Sequence, residues 1–553
     1  MEEQRHGGRL VADHLVDAGV DVLFTLTGGH ISAIHDGCRQ RGIRVIDVRH
    51  EQAAAHAADA YGRLTFRPGV AAVTAGPGVT DAITGVVNAA YAHSPMVLLG
   101  GRNPLALEGM GALQDAPQLE LLRPVAKRVD TVLETRRTRE VLDTAFRTAL
   151  APRMGPVYVD LPMDVLMTPV DPDQVVRTDS ANPPPRPGPD PEAVAAAARL
   201  LAAAERPVVL CGSGTYWSQA GEELDVLART AGVPVYVNGM ARGILPSSHP
   251  HLLALSRREA LRQADVVLAL GIDFDFRVGF GRPPAYHDDV AVVHVDPEPA
   301  RLGHNRPVTH AVASDVALFL RALLAVDGVF GQPGPVMSPW LETLRSEESR
   351  RRSARDDASM SPASPVHPLR FAREVARWVG PDTIVIGDGG DIVAHTAGQV
   401  RVERPGHWMD PGPFGCLGVG APFALAAAHV HPDRPVLVVY GDGSFGFNAM
   451  EFESAVRQGL PFVGIIGNDG AWGEMKAFHE RVYGAEGMLA QDLSQEVAYE
   501  DVVIALGGYG ERVTRPEDIG PALDRAAASG VPAVVNVLLD RGYRRTSAAA
   551  YGA

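Results

Sequence analysis

Cysteine is scarce. Only Cys38, Cys211 and Cys416 occur in 553 residues, far apart and with no CxxC pair. That spacing suggests neither a disulfide framework nor a cysteine zinc site, and it fits a cytosolic compartment. Basic charge is also in deficit: 51 Lys and Arg against 66 Asp and Glu give a net charge of −15. Such a balance argues against a nucleic-acid or anionic-membrane surface and leaves room only for local basic pockets. No run approaches the roughly 20 apolar residues that a membrane span needs. The N-terminus, "MEEQRHGGRLVADHL", has no apolar core of signal-peptide length. Also lacking are the Walker pattern GxxxxGK[ST] and a clean GxGxxG, which removes most support for a nucleotide kinase or an ordinary dinucleotide fold.

What is present is a globular composition, 46% hydrophobic and 21% charged, long enough for two to four domains. Two Pro-, Ser- and charge-rich stretches divide the chain. The expected organisation is a first domain over 1–168, a linker over 169–193, a middle domain over 194–328, a linker over 329–365, a third domain over 366–540 and a basic tail over 541–553. The charge run in the second linker reads as a solvated connecting helix. Within each block, short apolar runs alternate with Ala-rich segments of helical spacing. They are "DVLFTLTG", "RVIDVR", "GVAAVTAG", "MVLLGG" and "GPVYVDLP", then "RPVVLCGSG", "VPVYVNG", "DVVLALGIDF" and "VAVVHVDP", then "DTIVIGDGG", "PVLVVYGDG", "FVGIIGNDG" and "PAVVNVLLD". Strands alternating with helices predict an α/β protein of three tandem doubly wound parallel-sheet domains.

Ligands of open parallel sheets sit at the carboxyl ends of strands, where glycines admit close approach. One pair of strand ends is specific. Asp442 follows "PVLVVY" and Asn468 follows "FVGII", with a helix-forming segment between. A strand–helix–strand crossover can set those two ends side by side. One carboxylate and one amide oxygen, completed by phosphates and water, suit Mg²⁺ or Ca²⁺ holding a diphosphate. Two ordinary turn residues remain the competing reading at this point.

"GDG", 24 residues and then Asn resembles the thiamine diphosphate (ThDP) binding motif. "RHEQAAAHAADAYGR", with Glu51, resembles the catalytic-glutamate segment of the acetolactate synthase group. "TAGPGVTDAITGVVNAAYAHSPMVLLGG" and "PGPFGCLGVGAPFALAAA" are similar to further segments of the same group, in the same order. The resemblance spans essentially the whole chain and implies a pyrimidine-binding domain, a middle domain and a diphosphate-binding domain, with ThDP and Mg²⁺ as cofactors. It implies that Glu51 hydrogen-bonds N1′ of the aminopyrimidine and favours the imino form that removes the thiazolium proton. Leu417 would wedge the cofactor into its bent shape, and Gly415 would offer a carbonyl to its amino group. Asp442, Asn468 and the carbonyl of Gly470 would bind the metal, with Gly390, Asp391, Gly443 and Ser444 about the diphosphate. Asp469 stands where many members have a second asparagine, which leaves the metal ligands intact. The resemblance further implies a homodimer or homotetramer with active sites between subunits.

Departures from the synthases bear on the substrate. "GEMKAFHE" replaces a "GMVxQWQ"-like stretch, which puts Glu474 at the methionine position and Phe478 at the tryptophan position. Met163 stands where those synthases usually have lysine, and no equivalent of the "MLGMHG" stretch that serves FAD is found, which makes FAD doubtful. Two middle-domain segments, "NGMARGILPSSHP" and "DVVLALGIDFDFRVGFG", resemble the oxalyl-CoA decarboxylase and 2-hydroxyacyl-CoA lyase branch. In that branch a basic tail can close over CoA, a role that Arg541, Arg544 and Arg545 would fill. The leading expectation is therefore a lyase that splits a 2-hydroxyacyl-CoA into a ketone or aldehyde and formyl-CoA, with Glu474 taking the hydroxyl proton. The alternative is an acetolactate-synthase-like enzyme that decarboxylates pyruvate and joins the product to a second 2-oxoacid. His30, Gln114 and His479 are further candidates for lining the site, though a solvent-facing helix position suits His479 equally.

Overall fold

The computed structural model describes residues 5–178, 183–327 and 338–544. Among them the glycine-bounded apolar runs form strands that pair only in parallel, in three sheets. The first sheet has the order β2-β1-β3-β4-β6-β5. Its strands are β1 (Val22–Thr25), β2 (Arg44–Asp47), β3 (Gly69–Val73), β4 (Met96–Arg102), β5 (Arg128–Thr131) and β6 (Pro156–Pro162). The middle sheet, β11-β10-β9-β7-β8, contains β7 (Pro207–Cys211), β8 (Val235–Val237), β9 (Val266–Leu270), β10 (Ala291–Asp296) and β11 (His310–Ala313). The third, β13-β12-β14-β15-β17-β16, contains β12 (Ile384–Asp388), β13 (Trp408–Met409), β14 (Val436–Gly441), β15 (Val463–Asn468), β16 (Tyr509–Val513) and β17 (Ala533–Leu538). The third sheet therefore repeats the strand order of the first. Central strands such as β3, β4 and β15 are buried along nearly their whole length, because helices cover both faces.

The four strands that the apolar runs did not announce, β5, β11, β13 and β16, are all edge strands. Three of them are partly exposed, β5 and β16 with charged residues, and β13 is only two residues long. An edge strand has one neighbour and less to bury, so it lacks a continuous apolar run.

The second Pro- and charge-rich stretch contains a helix, Pro339–Ala358, whose start is capped by the Ser338 hydroxyl accepting from Leu341 N–H at 3.2 Å. Its Trp340, Leu341 and Leu344 enter the middle-domain core beside Val208, Leu210 and Tyr236. Most of its charge run occupies the other faces, while Glu348 is buried and accepts from Leu255 N–H at 2.7 Å, so the connector is docked along one edge.

The first and third domains share a core within one chain. The helix Glu51–Thr65 lays its Ala53, Ala57 and Ala60 against Phe423, Ala424 and Ala427 of the helix Gly420–Val430. Alanines on both partners allow the close approach. A buried polar cluster fixes their orientation. Arg63 donates two hydrogen bonds to Asp59 at 2.7 and 2.8 Å, lies over the Phe423 ring at 4.8 Å and donates to the Asp410 carbonyl at 2.6 Å. Asn88 donates to the same Asp59 at 2.8 Å.

Candidate active site

In the third sheet the strand order reverses between β12 and β14, and a crevice opens at their carboxyl ends. A cavity of about 450 Å³ lies there, within the usual range for small-molecule sites. Its lining includes Gly390, Asp391, Gly415, Leu417, Asp442, Gly443, Ser444 and Glu474, brought together from four separate segments. Glycine is required at some of these places. A Cβ on Gly443 would meet the Trp472 ring at 2.4 Å, and Gly415 holds φ +67°, in the left-handed region. Ser444 Oγ donates to the Asp388 carbonyl and accepts from Gly441 N–H at 3.1 Å, which locks the first turn of the helix Asp442–Asn448 onto the end of β12. The Asp388 carboxylate accepts from Gly418 N–H at 3.0 Å and Gly420 N–H at 2.7 Å, so the segment carrying Gly415 and Leu417 is pinned to the same strand. Burial pushes the Asp388 carboxyl up to about 7.

Asp442 and Asn468 are neighbours by register. Gly441 pairs with Gly467 across β14 and β15, so the next residues on each strand lie side by side. Both side chains are buried, and Asp442 Oδ2 is a buried oxygen without a hydrogen-bond partner. Burial, then the charge of Asp469, pushes Asp442 up, and burial likewise pushes Asp469 up. An oxygen in that condition calls for a cation. No group of three metal-ligating His, Cys, Asp or Glu side chains occurs among the described residues, so a metal here has to draw on amide, carbonyl and phosphate oxygens. That donor set suits Mg²⁺. The residues therefore fit a metal-bound diphosphate. Asn468 Oδ1 accepts from Gly470 N–H at 3.1 Å, which sets the turn in which Gly470 has φ +63°. Behind it runs a buried chain. Asn468 Nδ2 donates to Asn536 Oδ1 at 3.2 Å, Asn536 Nδ2 donates to Glu500 Oε2 at 2.7 Å, and Arg512 donates to Glu500 Oε1 at 2.6 Å.

Glu474 opens the helix Gly473–Tyr483 and reaches across the cavity to Gly390, where an added Cβ would lie 2.4 Å from its Oε2. Phe478 and His479 stand farther along this helix and do not line the cavity. Arg481 lies over the Phe478 ring at 5.8 Å, and His479 Nδ1 pairs with Gln491 Nε2 at 2.9 Å. The described part of the basic tail is tied down. Arg544 donates to Glu480 at 3.0 Å, and Arg541 donates to the Gly470 carbonyl at 3.3 Å. Arg545 lies outside the described residues. Trp472, Tyr543, Phe414 and Phe276 add aromatic rings to the lining. They were not singled out in the sequence, because they come from distant segments with no shared spacing.

Glu51 does not line this cavity. It begins its helix at the switch point of the first sheet, 9% exposed, and burial raises its carboxyl above the ordinary range. Its carboxylate lies near Gly78, where an added Cβ would be 3.4 Å from Oε1 and 2.9 Å from Thr74 Cγ2. Thr74 Oγ1 pairs with His30 Nδ1 at 3.0 Å, and His30 Nε2 with Asn103 at 3.1 Å. Gln114, held at φ +62°, packs against Gly76. Gln118, absent from the sequence candidates, is the buried organiser of this turn: it accepts from Gly76 N–H at 2.6 Å and donates to Asp160 at 2.8 Å. Glu451 of the third domain accepts from Arg49 N–H at 3.0 Å and so fixes the approach to Glu51. Within one chain, then, Glu51, His30 and Gln114 form one cluster and the Asp442 residues another. Met163, at the end of β6, opens the short helix Met163–Met167 and lines neither.

Among the described residues no helix is long and apolar enough to cross a membrane. Family models match all three domains: "Thiamine pyrophosphate enzyme, N-terminal TPP binding domain" over residues 5–121, the central domain over 194–323 and the C-terminal TPP binding domain over 388–537. The chain is 39% identical over 542 residues to the acetolactate synthase large subunit IlvG of Mycobacterium tuberculosis, covering 97% of this chain and 96% of that one. It is 36% identical over 583 residues to 2-hydroxyacyl-CoA lyase 2 of Homo sapiens, covering 97% and 90%, and 37% identical to that of Bos taurus with the same coverage. With the cavity, the paired Asp442 and Asn468 and the duplicated sheets, these matches mean that the chain belongs to the ThDP-dependent enzymes of the acetolactate synthase, 2-hydroxyacyl-CoA lyase and oxalyl-CoA decarboxylase family.

Proposed function

We propose that the protein is an acetolactate-synthase-type carboligase, which releases CO₂ from one 2-oxoacid and joins the remaining fragment to a second. This reverses the order of the two readings drawn from sequence. One structural observation carries it. The tail arginines expected to meet CoA phosphates are engaged elsewhere, Arg544 with Glu480 and Arg541 with Asp492. The 39% identity to acetolactate synthases over nearly the full length of both chains supports the same reading.

Bound ThDP supplies a carbon nucleophile and an electron sink, and Mg²⁺ ties its diphosphate to the protein. Asp442, Asn468 and the Gly470 carbonyl would hold the metal. Gly390, Asp391, Gly443 and Ser444 would admit the diphosphate at the start of two helices, where backbone N–H groups favour anions. Leu417 and Gly415 would orient the aminopyrimidine, and Glu51 would hold a proton at its ring nitrogen. Glu51 stands apart from its own chain's cavity, so it would serve the cavity of a second copy, and a homodimer would be the smallest active unit. Trp472, Phe414 and Tyr543 would exclude water from the reacting carbon.

The lyase reading stays second on a specific observation: Glu474 places a carboxylate on the cavity wall at Gly390, suited to taking a proton from a substrate hydroxyl. Product analysis separates the two. The holoenzyme given pyruvate should yield acetolactate and CO₂. Inert pyruvate, with a 2-hydroxyacyl-CoA split to formyl-CoA, would reverse the assignment. On the lyase reading, Glu474→Ala keeps ThDP affinity and loses cleavage.

A further inference from the structure

Gln118, 3% exposed, opens the short helix Gln118–Leu122. Its amide spans the carboxyl ends of three neighbouring strands, β3, β4 and β6. Oε1 accepts from the N–H of Gly76, which follows β3, at 2.6 Å. The two hydrogens of Nε2 are shared among three oxygens: the Gly101 carbonyl on β4 at 3.1 Å, and the Tyr158 hydroxyl and Asp160 Oδ1 on β6 at 3.0 and 2.8 Å. Asp160 is fixed in turn, by a hydrogen bond from the Tyr158 hydroxyl and by Arg102 at 3.0 Å. The amide is therefore anchored in the sheet, and what it holds is the turn.

That turn carries the surroundings of Glu51. Gly76 has φ +61° and caps the helix Pro77–Ala92, which has no side-chain cap at its start. A Cβ on Gly76 would meet the Gln114 carbonyl oxygen at 2.5 Å, so the turn also seats Gln114. Two residues on, a Cβ on Gly78 would lie 3.4 Å from Glu51 Oε1. Gly101, which accepts from Gln118, packs on His30, where an added Cβ would be 2.6 Å from the His30 Cβ. One amide thus sets the spacing of the Glu51 carboxylate, Gln114 and His30. Without it the buried Gly76 N–H would lose its acceptor, and the cost of that loss favours a shifted turn.

We propose that Gln118 is a positioning residue for proton transfer at Glu51, clamping the Gly76–Gly78 turn against which the Glu51 carboxylate rests. The role rests on the reading that Glu51 serves bound ThDP, and it holds whichever substrate follows. The test needs no substrate: the holoenzyme is placed in deuterium oxide, and loss of the thiazolium C2 proton of bound ThDP is timed by quenching and proton NMR, with ThDP affinity read by calorimetry. Gln118→Met keeps the volume and removes the amide. It should slow exchange about 10–100-fold with ThDP affinity little changed, as befits a proton carrier misplaced by about 1 Å. Tyr158→Phe removes a buried hydroxyl from the same network and leaves the bond to Gly76. It should lower the melting temperature and keep the wild-type exchange rate. In Gln118→Glu, a carboxyl buried beside Asp160 keeps its proton, so it offers Gly76 an acceptor and Asp160 a donor, and most of the rate should return. Should Gln118→Met fail to fold, Gln118→Asn carries the same expectation, because its shorter side chain does not span Gly76 and Asp160. Wild-type exchange without the amide, equal slowing in Tyr158→Phe, or no recovery in Gln118→Glu would each overturn the proposal. Glu51→Gln separates the two failures: slowing there with none in Gln118→Met refutes only the role of Gln118, whereas no slowing in Glu51→Gln refutes the reading of Glu51 as well.

Discussion

Asn536 gives the sharpest test of how the metal site is held. It lies on β17, opposite Ile466 of β15 and fully buried, where it accepts from Asn468 at 3.2 Å and donates to Glu500 at 2.7 Å. In Asn536→Ala the Asn468 amide loses its acceptor and Glu500 loses a donor. Each unsatisfied buried group costs about 1–3 kcal/mol, so the total is roughly 2–6 kcal/mol. The second effect is on the metal. An amide free to turn presents its oxygen correctly only part of the time, and losing such a support typically weakens metal binding about 10–100-fold. Asn536→Asp separates the two roles: it keeps the acceptor for Asn468 but removes the donor to Glu500 and sets two carboxylates together. Mg²⁺ titration of ThDP-dependent activity, paired with thermal unfolding of the apoprotein, reads both. The expected order of Mg²⁺ affinity is wild type, then Asn536→Asp, then Asn536→Ala. A variant Asn536→Ala that binds Mg²⁺ within twofold of wild type would refute the argument.

Arg63→Ala leaves Asp59 buried without its cation and removes the tie to Asp410, so it should cost about 3–5 kcal/mol, seen as a lower melting temperature. Glu51→Gln should retain ThDP affinity and lose about 10²-fold or more in turnover. Because Glu51 and Asp442 lie in separate clusters of one chain, mixing inactive Glu51→Gln and Asp442→Asn chains should restore up to about a quarter of wild-type activity through mixed dimers; a mixture as dead as its parts would place both residues in one chain's site. Asp388 carries a pH signature. Its folded value of about 7 stands above the ordinary carboxylate value near 4, so the folded state holds the proton that the unfolded state has released. This group's favourable contribution is full below about pH 4 and declines as pH rises toward 7. Asp388→Asn should therefore flatten the fall in apoprotein melting temperature between pH 5 and 7.5, and an unchanged slope would contradict the assignment.

The fold was readable where burial is two-sided. Runs such as "PVLVVY" and "FVGII" form β14 and β15 because only apolar residues suit a strand covered on both faces. Of the edge strands, β2 and β8 still read as apolar runs, whereas β5, β11, β13 and β16 escaped notice for the converse reason. Asp442 and Asn468 were legible because both the spacing and the flanking glycines follow from the crossover. Phe478 illustrates the limit. Four residues after Glu474 it shares that residue's helix face, but one turn advances about 6 Å along the axis, enough to carry it off the cavity wall and toward Arg481. Gln118 and Asn536 left no sequence signal either, since each acts through hydrogen bonds to residues distant in the chain.

A metal-anchored diphosphate at Asp442 and Asn468 is the central claim. The most direct measurement is calorimetric binding of ThDP to wild type and Asp442→Asn, with and without Mg²⁺. Wild type should bind ThDP tightly only with the metal, and Asp442→Asn should bind it weakly under both conditions. Equal, metal-independent affinity in the two proteins would contradict the account.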